Sequence, residues 1–383
     1  MVVWTGRGAS YSWVWWADLL EDLWWLKASF HTDPLELLDD LERGTRTLLL
    51  GGGDVAALRA ALDWDRIRAW VEGGGQLVAT CAGAYLLRDW VGAGIANVAD
   101  SPPERTPERA WTRCEGGIVV HPVRGPVSLR SSRGATFTAP VYGGPVFSEP
   151  EGELPMVEAR YAGVTRGAVW LLADRPELLA GTPAIVSKQM GQGSTVLSGP
   201  HLEHPDHPAA HMWLAGFLGH EPGEPTEPSP APRQGTEPTG EDIVRRLASV
   251  RGRAISISDV SWRSGEKVWN GQRVAGFTDS IIPRAKALAR WGWAPRGQAG
   301  GLLQLLDEAE RCIGARARPD IWDQGFATLS EATAVLLDAY FASRRAGMPA
   351  PPQRVKRPSR IAPEGGFNAP TVRPMTSKEV RRD

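Results

Sequence analysis

Through the amino-terminal part of the chain, short apolar runs alternate with stretches whose apolar positions recur every three or four residues. Val2-Val3-Trp4, Arg46 to Leu50 and Gln76 to Thr80 have strand length, and Ala28 to Phe30 is a shorter candidate. Their near-continuous apolarity is that of strands covered on both faces. Residues 11–27, Asp54 to Leu62 and Asp65 to Val71 carry helical periodicity. Asp33-Pro34 opens another helix, with Asp33 as N-cap and Pro34 at the first helical position. Gly73-Gly74-Gly75 stops the helix before it. Strands alternating with helices predict an α/β fold with a mostly parallel, doubly wound sheet, whose ligands lie at the carboxyl ends of the strands.

Residues 116–200 are richer in strand patterns: Gly117 to Val120, Ala135 to Thr138, Met156 to Ala159 and Ala184 to Ser187. Met190-Gly191-Gln192-Gly193 reads as a tight hairpin turn. Ala209 to Leu218 is the last helix of a domain covering residues 1–220. Residues 221–240 hold six prolines among Glu, Thr, Ser and Gly, too little apolar surface to fold, and are expected to be a linker. Helical periodicity returns over Glu241 to Val250, Ile281 to Trp291, Leu302 to Ile313 and Leu329 to Arg345, predicting a small all-α domain over 241–347. The segment 348–383 is Pro-rich and basic, and a disordered tail is expected there.

Chemistry enters where Gln76-Leu77-Val78 runs into Ala79-Thr80-Cys81-Ala82-Gly83-Ala84-Tyr85. A cysteine at a strand end, among small residues and before a helix, reads as a nucleophile elbow. The helix amino terminus favours thiolate and offers N–H groups to an oxyanion. On this segment alone, a buried structural cysteine at a tight turn is the alternative. A second strand ends in Gly51-Gly52-Gly53-Asp54, where glycines let backbone N–H groups approach a ligand. A third, Ser194 to Ser198, leads through Gly199-Pro200 to His201-Leu202-Glu203. Together they predict Cys81 as nucleophile, His201 as base and Glu203 as the acid that orients it. The backbones of Gly52 or Gly53 and of Ala82 form the oxyanion hole.

These segments, with Trp4 to Ser10, Val141 to Phe147 and Gly191 to Glu203, resemble the class I glutamine amidotransferase-like superfamily. Within it they resemble the amino-terminal domain of biotin–protein ligases, without the ligase catalytic domain. The resemblance covers about residues 1–220 and implies a flavodoxin-like sheet. It also implies a pocket that takes in Asp54, Gly83, Tyr85, Tyr142, Gly143 and Gly144 beside Cys81. The family's Gly-His-Gln segment is replaced by Ala84-Tyr85-Leu86, so glutamine is not carried over as substrate. The implied function is that of a cysteine-dependent amide hydrolase or amidotransferase-like enzyme acting on a small-molecule amide or related carbonyl compound. The alternative is a catalytically inactive binding or regulatory module on the same fold.

Other features adjust this picture at the margins. A net charge of −1 gives no broad reason to expect nucleic acid or membrane as partner, although the helical domain or basic tail could dock a protein. Cys81, Cys114 and Cys312 are odd in number and widely spaced, which speaks for a reducing, cytoplasmic setting. His201, His204, His207 and His211 have spacings that metal ligands can have. However, Pro205 and Pro208 interrupt any helix through them, and neither metal nor cofactor is expected. Trp13, Trp16, Leu20 and Leu23 share a helical face that suits the sheet. Trp15 and Trp25 then need another partner, in a wide helix–sheet interface or between copies of the chain.

Overall fold

The computed structural model describes residues 1–95, 113–115, 118–120, 123–150, 155–170, 179–220, 240–264, 267–293, 299–313 and 319–346. The expected linker, apart from Gly240, and the expected tail lie outside them. Met1–Pro349 form one compact unit.

In chain order the elements begin with β1 (Val2–Trp4), a 3-10 turn at Tyr11–Trp13, α1 (Val14–Asp22), β2 (Ser29–His31), α2 (Pro34–Glu42) and β3 (Thr47–Leu50). Next come α3 (Val55–Ala61), α4 (Trp64–Glu72), β4 (Gln76–Thr80) and α5 (Ala82–Val91). A strand-rich stretch follows: β5 (Arg113–Glu115), β6 (Ile118–Val120), β7 (Val123–Ser131), β8 (Thr136–Val141), β9 (Met156–Val164), β10 (Val169–Trp170), β11 (Pro183–Met190) and β12 (Gly193–Ser198). The remainder is α6 (Pro208–Leu218), α7 (Gly240–Ser256), β13 (Ser261–Ser264), β14 (Lys267–Asn270), α8 (Gly271–Arg290), α9 (Ala299–Ile313) and α10 (Pro319–Arg345).

The main sheet runs β10-β7-β9-β11-β12-β4-β3-β1-β2, with β8 paired to β7. Only β12, β4, β3, β1 and β2 are mutually parallel. The others pair antiparallel. The expectation of a mostly parallel sheet is therefore corrected to a large mixed sheet. The reason is local: β11 turns into β12 through Gly191, whose φ is +57°, and β7 into β8 through a short loop. Connections that short can only join antiparallel strands.

Side-chain alternation sorts the parallel strands onto two cores. Val3, Leu49, Val78 and Val196 face α1 and α6. Val2, Leu48, Leu50, Leu77, Ala79 and Leu197 face the opposite layer, where α2, α4 and α5 contribute Leu37, Ile67, Val71 and Leu87.

The carboxyl-terminal half extends the first of these layers. Trp13 Nε1 donates to Ser330 Oγ (2.8 Å), which donates to Thr5 O (3.1 Å). The N–H of Phe30 donates to Asp338 Oδ1 (2.9 Å). Arg284, only 3% exposed, reaches Asp18 (2.9 Å) and Glu21 (2.7 Å) on α1. Arg344 also reaches Glu21 (2.9 Å). This half is not wholly helical, because β13 and β14 form an antiparallel hairpin between α7 and α8. Its helices start earlier than their periodicity predicts: α8 at Gly271 and α10 at Pro319.

Candidate active site

β4 delivers Cys81 at its carboxyl end, and α5 begins one residue later. Cys81 has φ +52° and ψ −110°, a conformation that costs a residue with a side chain roughly 1–3 kcal/mol. Its N–H donates to Ser198 O at the end of β12 (2.9 Å), so the neighbouring strand helps to hold the bend. The side chain is 3% exposed.

His201 stands just beyond β12. Ser198 Oγ donates to Pro200 O (2.7 Å), and the N–H of His201 donates to Pro140 O at the end of β8 (2.9 Å). The loop is thus tied on both sides. Nδ1 of His201 lies 2.7 Å from Glu203 Oε1, and the same oxygen accepts from Thr80 Oγ1 (3.0 Å). Cys81 hydrogen-bonds the imidazole. With Nδ1 held by Glu203, that bond falls to Nε2. Burial by itself would lower the imidazole pKa, but the Glu203 carboxylate and then Cys81 outweigh it and push it up to about 10. Glu203 is fully buried.

Gly52 closes the other side. A β-carbon there would lie 3.0 Å from His201 Cε1, 3.1 Å from Ser12 Oγ and 3.5 Å from Cys81 Cβ. Ala9 and Gly53 form an antiparallel bridge in which Ser10 N–H donates to Gly52 O and Asp54 N–H to Gly8 O. Those bonds use neither the N–H of Gly52 nor that of Gly53. Ala82 is the first residue of α5, where an N–H has no partner within the helix.

The remaining sequence-derived positions divide. Asp54 caps α3, accepting from Ala57 N–H (2.9 Å). Gly83 is where α5 crosses the sheet, because a β-carbon there would press on Ala79 and Leu50. Tyr85 lies one turn into α5, its N–H donating to Cys81 O (3.1 Å). Tyr142 is half-exposed, its ring 5.7 Å from that of His201. Gly143 has φ +124°, and a β-carbon at Gly144 would overlap Gly199 O. Tyr142 and His201 are thus brought together by a close crossing of two loops.

Sequence reasoning missed several neighbours. Thr80 is signalled only by its place before the cysteine. Ser10 and Ser12, 2.8 Å apart through their hydroxyls, follow β1 and share the carboxyl edge of the sheet. Trp15, expected to need another partner, packs 5.3 Å from His201, 4.4 Å from His204 and 6.1 Å from Tyr142, ring to ring. Tyr11 touches Trp15 (5.8 Å) and Trp269 (5.7 Å), with the Arg273 guanidinium 5.6 Å above its ring. No local pattern marks Arg124 or Arg273.

The other histidines are separately engaged. His204 Nδ1 accepts from Asp206 N–H (3.2 Å), and burial, helped by His207 and His201, pulls its pKa down to about 3. His207 Nδ1 pairs with Thr138 Oγ1 (3.0 Å). His211 Nε2 donates to His204 O (3.1 Å). Among the described residues, no group of three or more His, Cys, Asp or Glu side chains is arranged to hold a metal ion. Among them, too, no helix is long and apolar enough to cross a membrane.

No protein-family model and no curated protein matches the chain. Among solved structures it is similar to a catalytic mutant of the GH42 β-galactosidase Gan42B from G. stearothermophilus. Identity is 18% and the TM-score 0.26, over 46% of this chain and 22% of that one. A ThuA-like protein from Bacteroides uniformis is similar at 11% identity and a TM-score of 0.32, over 56% and 88% of the two chains. A cytoplasmic protein from Salmonella typhimurium is similar at 12% and 0.33, over 58% and 99%. The chain spans less than a quarter of the galactosidase's length. Scores of this size assign no activity.

These findings correct the expected kinship with the biotin–protein ligase amino-terminal domain. The similarities found are to galactosidases, a mannosidase and a ThuA-like protein. The physical reason lies in the motifs. Small residues around a left-handed cysteine, and glycines at strand ends, are demanded by the geometry of any such bend. They specify the bend and not the family.

Proposed function

We propose that this protein is a cysteine-dependent hydrolase of amide or related carbonyl compounds. One observation carries the reading: a strained Cys81 hydrogen-bonded to a buried His201, which is itself held by a buried Glu203. In this reading His201 takes the thiol proton as the Cys81 sulfur attacks the carbonyl carbon, and N–H groups of Ala82 and of Gly52 or Gly53 receive the oxyanion. His201 gives its proton to the leaving nitrogen, the C–N bond breaks, and an acyl thioester remains. Water then attacks the thioester and loses a proton to His201. Collapse releases a carboxylic acid and returns the thiol.

The parallel strands support the reading by their order, β2-β1-β3-β4-β12, which is that of a doubly wound, flavodoxin-like half-sheet. The buried thiols of Cys81 and Cys312 suit a reducing, cytoplasmic compartment. A second reading, a binding module without turnover, is favoured by one feature: Cys81 and His201 are each only 3% exposed.

Competitive alkylation at pH 7, read by mass spectrometry, tests the reactive thiol. Cys81 is expected to label at least tenfold faster than Cys312. Equal labelling would overturn the hydrolase reading. Release of amine from a panel of simple amides, lost in Cys81→Ala, separates hydrolase from binding module.

A further inference from the structure

We propose that the compound bound beside Cys81 carries a carboxylate, held by Arg124 and by Arg273 from the helical half. This deepens the hydrolase reading and rests on it.

Strand pairing places Arg124. Gly125 of β7 lies opposite Val141 of β8, so Arg124 sits at the β7 end beside the chain that continues into Tyr142. Arg273 arrives from elsewhere. It is in the first turn of α8, where Asn270 Oδ1 accepts its N–H (3.0 Å), and its guanidinium lies over the Tyr11 ring. Tyr11 joins the two sides, because its ring meets Trp269 on one flank and Trp15 on the other, and Trp15 touches His201.

Arg124 is an uncomfortable cation. Its Nε is buried with no hydrogen-bond partner among the described residues. Burial lowers its pKa, and Arg273 lowers it further. The other groups that bear on it most are Tyr11, Cys81 and Tyr142, none of them a carboxylate. Among the described residues, the Glu203 carboxylate pairs with His201 and that of Asp206 with His204. Arg124, with its Nε unsatisfied beside a second guanidinium in an aromatic setting, is stabilised by an anion that both can reach. Their planar donors suit a carboxylate in bidentate fashion. A carboxylate there would fix which carbonyl of the compound meets the thiol.

The test uses two alkylating agents of nearly the same size, anionic iodoacetate and neutral iodoacetamide. In each the thiolate carbon–sulfur bond forms as iodide leaves. The ratio of their rates at Cys81 cancels general losses of thiol reactivity or of folded protein. The ratio, normalised to that of N-acetylcysteine, is expected to favour iodoacetate and to fall about tenfold in Arg124→Gln and in Arg273→Gln. Arg124→Lys, which keeps the charge, should fall less. Succinate should slow iodoacetamide labelling of the native protein more than inorganic phosphate does. An unchanged ratio in both glutamine variants overturns the proposal while leaving the reactive thiol intact, and stronger protection by phosphate overturns the carboxylate assignment. Failure of Cys81 to label faster than Cys312 with either reagent strikes instead at the hydrolase reading.

Discussion

Cys81, His201 and Gly52 stand on strand ends whose relative positions are set by backbone ladders, whereas Arg273 and Trp269 reach the same region from a layer held by side chains. On the sheet side, β3, β4 and β12 pair in continuous parallel register, Leu50 with Ala79 and Ser198 with Thr80. The sheet cannot shift one strand end without breaking several hydrogen bonds. On the helical side, α8 and α10 are held by side chains: a shared apolar core through Trp13, Phe30, Phe277 and Phe341, and the ion cluster of Arg284, Arg344, Asp18 and Glu21. In the proposed reading, chemistry that needs ångström placement sits on the stiffer wall, and recognition, which tolerates adjustment, is supplied by the other.

The sharpest way to break that comparison is to loosen the helical wall alone. Arg284→Met removes the buried guanidinium that pairs with Asp18 and Glu21, while Glu21 keeps Arg344, and is expected to destabilise the protein by about 3–5 kcal/mol, read as a lower urea midpoint. A loss below about 1 kcal/mol would mean that the ion cluster does not hold the layer.

The complementary change acts on the sheet wall. His201→Ala should slow Cys81 alkylation at pH 7 about a hundredfold, the lower end of what a positioned acid–base group contributes. Glu203→Gln should slow it less, because the ring remains. Equal rates in all three proteins would show that the imidazole does not govern the thiol.

Gly52→Ala sharpens the contrast, since the new methyl group meets His201 and Ser12 at 3.0–3.1 Å. Overpacking of this kind costs about 1–3 kcal/mol. Cys81 labelling should fall more than it does in Gly216→Ala, a position with open space. Matching behaviour of the two variants would refute the crowding.

The smallest effect concerns pH. His204 stays neutral when folded, with its pKa near 3 against about 6.5 unfolded. A depressed pKa contributes stability above the unfolded value, and that stability is lost as pH falls from about 6.5 toward 3. His201, with its raised pKa, works the other way: its contribution is complete below about 6.5 and disappears as pH climbs toward 10. The two oppose each other, so the comparison is between proteins. Between pH 7.5 and 5.5, His204→Gln should lose about 1 kcal/mol less stability than the native chain. Parallel pH curves would place His204 in a wetter setting than its packing against Trp15 implies.

The alternation of apolar runs with helical periodicity was enough to read the strands β1, β3, β4 and β12, because a strand buried on both faces has few other ways to be written. The bend at Cys81 was readable for a related reason: a left-handed residue needs small neighbours. The antiparallel half was harder. A strand such as β9 buries only Ala159 and Tyr161 along its length, which leaves a short alternation to read, and a short loop does not declare which strand its partner will join. Helical spacing shows that Trp15 needs a partner off the sheet, but it describes one element at a time and does not say that the partner is the loop after β12.

Arg124, Arg273 and Tyr11 lie in separate parts of the chain and share no motif. What the sequence by itself determined is local: where the chain extends, where it bends, and which side chains stand at strand ends. What only the tertiary structure decided is which of those ends meet, and that a carboxyl-terminal helix brings a second guanidinium to them. Backbone preference acts over a few residues and leaves a trace in sequence order, while charge and packing act over a few ångströms of space and leave none.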